Sequence, residues 1–142
     1  MPSSDRPRVT GVVETALHVD DVERSALFYQ ELFGLEAIEG DERFRALSVA
    51  GRQLLLLFRK GTTQRPIELP GGVIPPHGGE GDLHVAFSIP AADLESWEAR
   101  LAARGVAIEG RMRWPRGGAS LYFRDPDGHM LELVTPGCWS IY

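Results

Sequence analysis

The sequence predicts an α+β fold of two βαβββ modules, and three observations point to it. Ala37-Ile38-Glu39-Gly40 returns 70 positions later as Ala107-Ile108-Glu109-Gly110. At the same offset, Glu14-Thr15-Ala16-Leu17-His18-Val19 falls on His84-Val85-Ala86-Phe87-Ser88-Ile89. Each half also reads in one order: a strand, an amphipathic helix, then further strands. The modules are assigned to residues 11–60 and 82–136, with 61–81 joining them. A chain of 142 residues suits one domain in which both modules share a core.

In the first half, 12–19 is the opening strand. Asp20 with Glu23 three residues on makes a capping-box-like helix start. Val22, Ala26, Tyr29 and Phe33 then form one apolar stripe, and Gly34 is placed to end the helix. Strands are expected at 35–38, 44–49 and 53–58, with Ala50-Gly51 as a turn. In the second half 83–89 is a strand, and Asp93 is placed to cap a helix with the stripe Leu94, Trp97 and Leu101. Gly105 ends it. Strands follow at 106–108, 119–123 and 130–134, the last two joined by Asp125-Pro126-Asp127-Gly128, where Pro presets φ and Gly tolerates positive φ.

The joining segment is rich in Gly and Pro and carries His77. A structureless connection of this length is either a mobile element that orders over a binding cleft or a plain linker.

Composition narrows the function. Hydrophobic residues make up 43% and charged residues 25%, as in an ordinary globular protein, which excludes a disordered chain. A net charge of −5 disfavours binding to duplex nucleic acid. The longest apolar run, 54–58, is far short of the ~20 residues that span a bilayer, and the N-terminus lacks the apolar core of a signal peptide. Cys138 is the single cysteine and forms no internal disulfide, so the cytoplasm is the expected compartment.

Three polar residues interrupt apolar strands: Glu14, His84 and Glu132. A carboxylate on a buried sheet face is costly unless it is paired or ligates a metal. Taken singly, such a Glu more often faces solvent and such a His is more often a satisfied core residue. Glu14 and His84 occupy equivalent strand positions, however, and Glu132 lies in the final strand, whose first-half counterpart within 54–57 has no carboxylate. Three ligands leave open positions on an ion, as a catalytic metal requires. His18, four residues after Glu14, shares its face and is the alternative first-strand ligand or a cavity residue; its repeat partner is Ser88 rather than His84, which favours Glu14.

Over about residues 11–136 the chain resembles the vicinal oxygen chelate superfamily, which includes glyoxalase I, extradiol dioxygenases, methylmalonyl-CoA epimerase, fosfomycin-resistance enzymes and bleomycin-binding proteins. The resemblance is carried by Val19-Asp20-Asp21-Val22-Glu23-Arg24-Ser25 running into Phe28-Tyr29-Gln30-Glu31-Leu32-Phe33-Gly34-Leu35. It is carried also by His84-Val85-Ala86-Phe87 and by Phe123-Arg124-Asp125-Pro126-Asp127-Gly128-His129-Met130-Leu131-Glu132-Leu133. It implies paired modules whose sheets curl into a mixed sheet around a metal cleft, with ligands on the first strand of each module and on the last strand. His84 and Glu132 match the usual His and Glu, whereas Glu14 stands where many members have His. The extra carboxylate shifts the expected ion from Fe towards Mn²⁺, Mg²⁺, Ni²⁺ or Zn²⁺.

The expectation is therefore a divalent-metal-dependent enzyme acting on a small molecule, of lyase, isomerase or dioxygenase-like type. One ion per site is held by Glu14, His84 and Glu132, and Glu132 or Glu14 doubles as catalytic base. Substrate-binding candidates are His18, His77, Tyr122, Arg45 and Arg113, although the arginines read more readily as solvated strand surface. The alternative is a metal-free drug-binding protein of the bleomycin-resistance type. A homodimer is expected, partly because Trp139 and Tyr142 read as exposed aromatics. Neither a nucleic acid nor a membrane is an expected partner.

Overall fold

Helix α1 (Val22–Phe33) starts where the Asp21 carboxylate accepts a hydrogen bond from the Arg24 amide at 3.0 Å, in a computed structural model that describes residues 6–142. The cap is thus Asp21 and not Asp20. Asp20 instead pairs with Lys60 at 3.3 Å and donates its amide to Asp127. Gly34 ends the helix at φ +69°, with its amide on the Gln30 carbonyl, as the sequence predicts. Helix α2 (Leu94–Ala103) is entered through a 3-10 turn, Ala91–Asp93. Asp93 makes no side-chain cap, because its backbone already lies in that turn with its amide on the Pro90 carbonyl.

The strands form two four-stranded sheets of identical plan. In the first, β1 (Glu14–Val19) runs parallel to β4 (Gln53–Arg59), followed by β3 (Phe44–Val49) and β2 (Glu36–Gly40), both antiparallel to their neighbours. In the second, β7 (His84–Ser88) runs parallel to β10 (Met130–Val134), followed by antiparallel β9 (Ala119–Arg124) and β8 (Gly110–Arg113). The strand expected at 106–108 is displaced to β8. The Val106 amide is taken by Leu101 at the helix exit, and ladder pairing begins only with the Glu109 amide on the Tyr122 carbonyl.

Segment 61–81 is more ordered than its composition suggests. It holds a hairpin of β5 (Ile67–Leu69) and β6 (Gly72–Ile74). Its base is closed by Thr63, which accepts the His77 amide at 2.8 Å and donates its hydroxyl to the His77 carbonyl at 2.6 Å.

Alternation along each strand sends one face of both sheets into a single core. Leu17, Val19, Leu47, Leu55 and Leu57 from the first sheet join Leu121, Phe123, Leu131 and Leu133 from the second. Phe33 of α1 bridges them, its ring 4.7 Å from Phe87 and 6.1 Å from Phe123. The 125–129 turn adds polar ties between modules. Asp125 accepts the Tyr29 hydroxyl at 2.7 Å, and buried His129 accepts the Leu83 amide through Nδ1 while its Nε2–H donates to the His18 carbonyl. Gly128, at φ +85°, lets the chain turn there.

Trp139 is 69% exposed, but Tyr142 is not an exposed aromatic: it folds back and donates its hydroxyl to the Val134 carbonyl at 3.0 Å. Among the described residues, no helix is long and apolar enough to cross a membrane.

Candidate functional site

On the second sheet, the face turned away from the core carries His84 of β7, Glu132 of β10, and Ser120 and Tyr122 of β9. His84 Nε2 lies 3.1 Å from Glu132 Oε1. The other ring nitrogen, Nδ1, is 3.0 Å from the Met130 carbonyl. A carbonyl only accepts, so Nδ1 carries a proton; whenever Nε2 carries none, its lone pair faces Oε1. Two acceptors facing each other at this distance need a proton or a cation between them. The separation also suits two donors on one ion at about 2.1 Å from each. The pair therefore fits a divalent metal.

Glu132 is only 7% exposed, and its second oxygen is fixed from behind. Ser120 donates to Oε2 at 2.5 Å, and the Trp114 indole donates to the Ser120 oxygen at 2.8 Å. The turn carrying Trp114 depends on a close backbone crossing, since a Cβ on Gly118 would lie 2.6 Å from the Gly137 carbonyl carbon. Tyr122 is the register partner of Glu132, and its ring centroid lies 6.4 Å from that of His84. Burial, and then the Glu132 charge, raise the pKa of the Tyr122 hydroxyl, so it stays protonated as a donor.

Glu14 is exposed and lies on the first sheet. Its face continues through Ala16 of β1 to Leu56 and Phe58 of β4, the floor of a cavity of about 460 Å³ whose lining includes Arg43, Arg65 and His77 but not His18. The Ala16–Leu56 pairing repeats the Ala86–Glu132 pairing, so Leu56 occupies the place of the carboxylate. Among the described residues of one chain, no three His, Cys, Asp or Glu side chains converge as a metal site. His84 and Glu132 thus come together, and Glu14 is not with them.

His18 is 7% exposed, packed 6.0 Å from Phe58 and 5.4 Å from His77 between ring centroids. Gly79 closes over it, since a Cβ there would lie 3.2 Å from the His18 ring. Burial, then the charges of His77, His129 and Lys60, lower its pKa. Below pH about 6.5 the unfolded chain takes up a proton here that the folded protein refuses. Stability is therefore full above that pH and falls as the pH drops towards the lowered folded value. Urea midpoints compared at pH about 7.5 and about 5.5 should fall less for His18→Gln than for the unsubstituted protein; parallel losses would refute this.

The two predicted arginines lie elsewhere. Arg45 pairs in register with core-facing Leu57, and its guanidinium bonds back to the Asp41 and Phe44 carbonyls. Arg113 shares its face with Arg111, which reaches Glu98 of α2, on the side away from His84. Sequence reasoning missed Ser120, Trp114, Arg43 and Arg65. Ser120 was detectable in principle, being two residues before Tyr122 on the same strand face.

A family model described as the Glyoxalase/Bleomycin resistance protein/Dioxygenase superfamily matches residues 11–133. Metallothiol transferase FosB of Bacillus licheniformis is 30% identical over 129 residues, covering 90% of this chain and 77% of that protein. The enzyme of the same name from Staphylococcus epidermidis is 30% identical over 128 residues, covering 89% and 84%. Among solved structures, a lactoylglutathione lyase from Agrobacterium tumefaciens superposes with a TM-score of 0.84 at 32% identity, covering 94% of this chain and 99% of that one.

Proposed function

The chain belongs to the glyoxalase/bleomycin resistance protein/dioxygenase superfamily, and we propose that within it the protein is a divalent-metal-dependent enzyme acting on a small molecule. The observation that carries this reading is the His84–Glu132 pair, 3.1 Å apart, with each side chain held from behind by Met130 or Ser120. The names of the similar proteins, a metallothiol transferase and a lactoylglutathione lyase, favour transfer or lysis over dioxygenation.

His84 Nε2 and Glu132 Oε1 would hold the ion, with Glu14 as the third ligand. The ion supplies Lewis-acid polarisation of a substrate oxygen. The Tyr122 hydroxyl donates a hydrogen bond to an oxygen beside that position. Of the two carboxylates, Glu132 is tied on one oxygen by Ser120, which leaves Glu14 as the ligand that would double as base.

Glu14 reaches the pair from a second copy of the chain. Val12 and Val13, which lead into β1, are 63% and 67% exposed, and β7 leaves His84, Ala86 and Ser88 open. Pairing two copies covers both surfaces.

Protein purified without chelator should carry about one divalent ion per chain, weakening as the pH falls because a protonated imidazole cannot ligate. Sedimentation should give twice the 15.7 kDa chain mass. A mixing experiment tests the shared site directly. Glu14→Gln and His84→Ala should each abolish tight binding alone. Mixed and allowed to exchange, they should recover about a quarter of the sites, because each mixed dimer holds one intact set. No recovery sinks the shared site, and no metal in the unsubstituted protein sinks the enzyme reading.

A further inference from the structure

We propose that the cavity on the first sheet binds a small amphipathic anion: an aromatic or branched apolar body carrying one oxyanion group. This rests on the metal-enzyme reading only for which end of the ligand meets Glu14; the binding itself does not.

The floor is apolar and shaped for a flat group. Phe44 and Phe58, cross-strand partners in β3 and β4, stack at 5.8 Å with planes 26° apart, and Leu56 lies beside them. Ile67 and Ile74, directly paired in the β5–β6 hairpin, add to the apolar lining. The volume of about 460 Å³ suits a small organic molecule.

The rim selects charge. Among the described residues, Arg104, Arg111 and Arg124 are in ion pairs, and Arg45 and Arg100 are tied to backbone carbonyls. Arg43 and Arg65, like Arg24, Arg52, Arg59, Arg113 and Arg116, make neither kind of bond through their side chains among those residues; what sets these two apart is their place. Both line this cavity, where Glu14 is the single acidic residue. The Arg43 guanidinium carbon sits 5.7 Å from the Phe44 centroid, holding the group at the edge of the aromatic floor. Arg65 stands two residues before β5, so the segment that adds to the apolar lining also supplies a charge. Two guanidiniums beside an apolar floor recognise a carboxylate or phosphate attached to a hydrophobic body.

Calorimetry with phenylacetate, phenyl phosphate and neutral phenylacetamide tests this, on protein as purified and after chelator treatment. Both anions should bind in both preparations, and the amide at least about tenfold more weakly. Arg43→Gln and Arg65→Gln should each weaken the anions about tenfold and leave the amide unchanged, with Arg65→Lys recovering part of the loss. A preference for phenyl phosphate identifies a dianion-reading site, and a preference for phenylacetate a carboxylate-reading one. Anion binding that persists after chelator treatment separates this result from the fate of the metal centre. Equal affinity for amide and anions, unchanged affinity in both Gln variants, or no saturable anion binding at millimolar concentration would each overturn the assignment.

Discussion

Asp125→Ala should destabilise the fold by about 4 kcal/mol, the largest stability loss expected of a polar position. The carboxylate is 5% exposed and accepts three hydrogen bonds, from the Tyr29 hydroxyl at 2.7 Å and from the Asp127 and His129 amides at 2.9 Å each. Its removal strands a buried hydroxyl and two amides, and hydrogen bonds to a charged acceptor contribute more than neutral ones. The damage also spreads. The His129 amide orients a ring that ties the start of β7 to the His18 carbonyl of β1, so the two modules lose their polar clasp together. Tyr29→Phe removes one donor and leaves the carboxylate two partners, and should cost about 1–2 kcal/mol. Tyr29 does not titrate in the working range, because burial and then the Asp125 charge push its pKa far up. Urea unfolding reads both losses as midpoint shifts at unchanged slope. A loss for Asp125→Ala no larger than for Tyr29→Phe would show that the turn is held by its apolar surroundings instead.

The modules were legible because their signals are local and repeated. The offset between Glu14 and His84 in sequence is the offset between β1 and β7 in the sheets, and the register confirms that Leu56 stands where the second half has Glu132. Three kinds of feature were not legible. Backbone competition moved β8, because the Val106 amide satisfies the end of α2 before a ladder begins. Strand phase misassigned the arginines: Arg45 and Arg43 differ by two positions, but β3 begins only at Phe44, and the chain before it bends to put Arg43 on the cavity rim. The hairpin in 61–81 has three-residue strands, too short for periodicity to register, and is closed by a Thr63–His77 contact across 14 residues. Within the candidate site, the residue types that ligate metals stand out in apolar strands. Ser120 and Trp114 do not, because a Ser on a strand and a Trp in a turn are ordinary until they are seen in line behind Glu132.

Glu132→Gln should lower divalent-metal affinity by at least about 100-fold, the largest binding effect expected of a single substitution. The amide keeps the shape of the carboxylate but loses its negative charge, and half of its head group becomes a donor. Ser120 already donates to the oxygen that faces away from His84, at 2.5 Å. In the variant, Ser120 takes the amide oxygen as its acceptor, and this turns the amide nitrogen towards His84 Nε2, where an ion needs a lone pair. The same geometry gives a graded series. Ser120→Ala leaves Glu132 charged but frees its rotamer, and should cost about tenfold. Trp114→Phe removes a donor from Ser120 alone and should cost less again. Titration with Mn²⁺, Zn²⁺ and Ni²⁺ separates charge from positioning. Glu132→Gln should depress all three, most of all the oxygen-seeking Mn²⁺, and Ser120→Ala should depress them about equally. An affinity unchanged in Glu132→Gln removes Glu132 from the metal site. If Ser120→Ala costs as much as Glu132→Gln, the hydroxyl is itself a ligand and the back-support described for Glu132 is wrong.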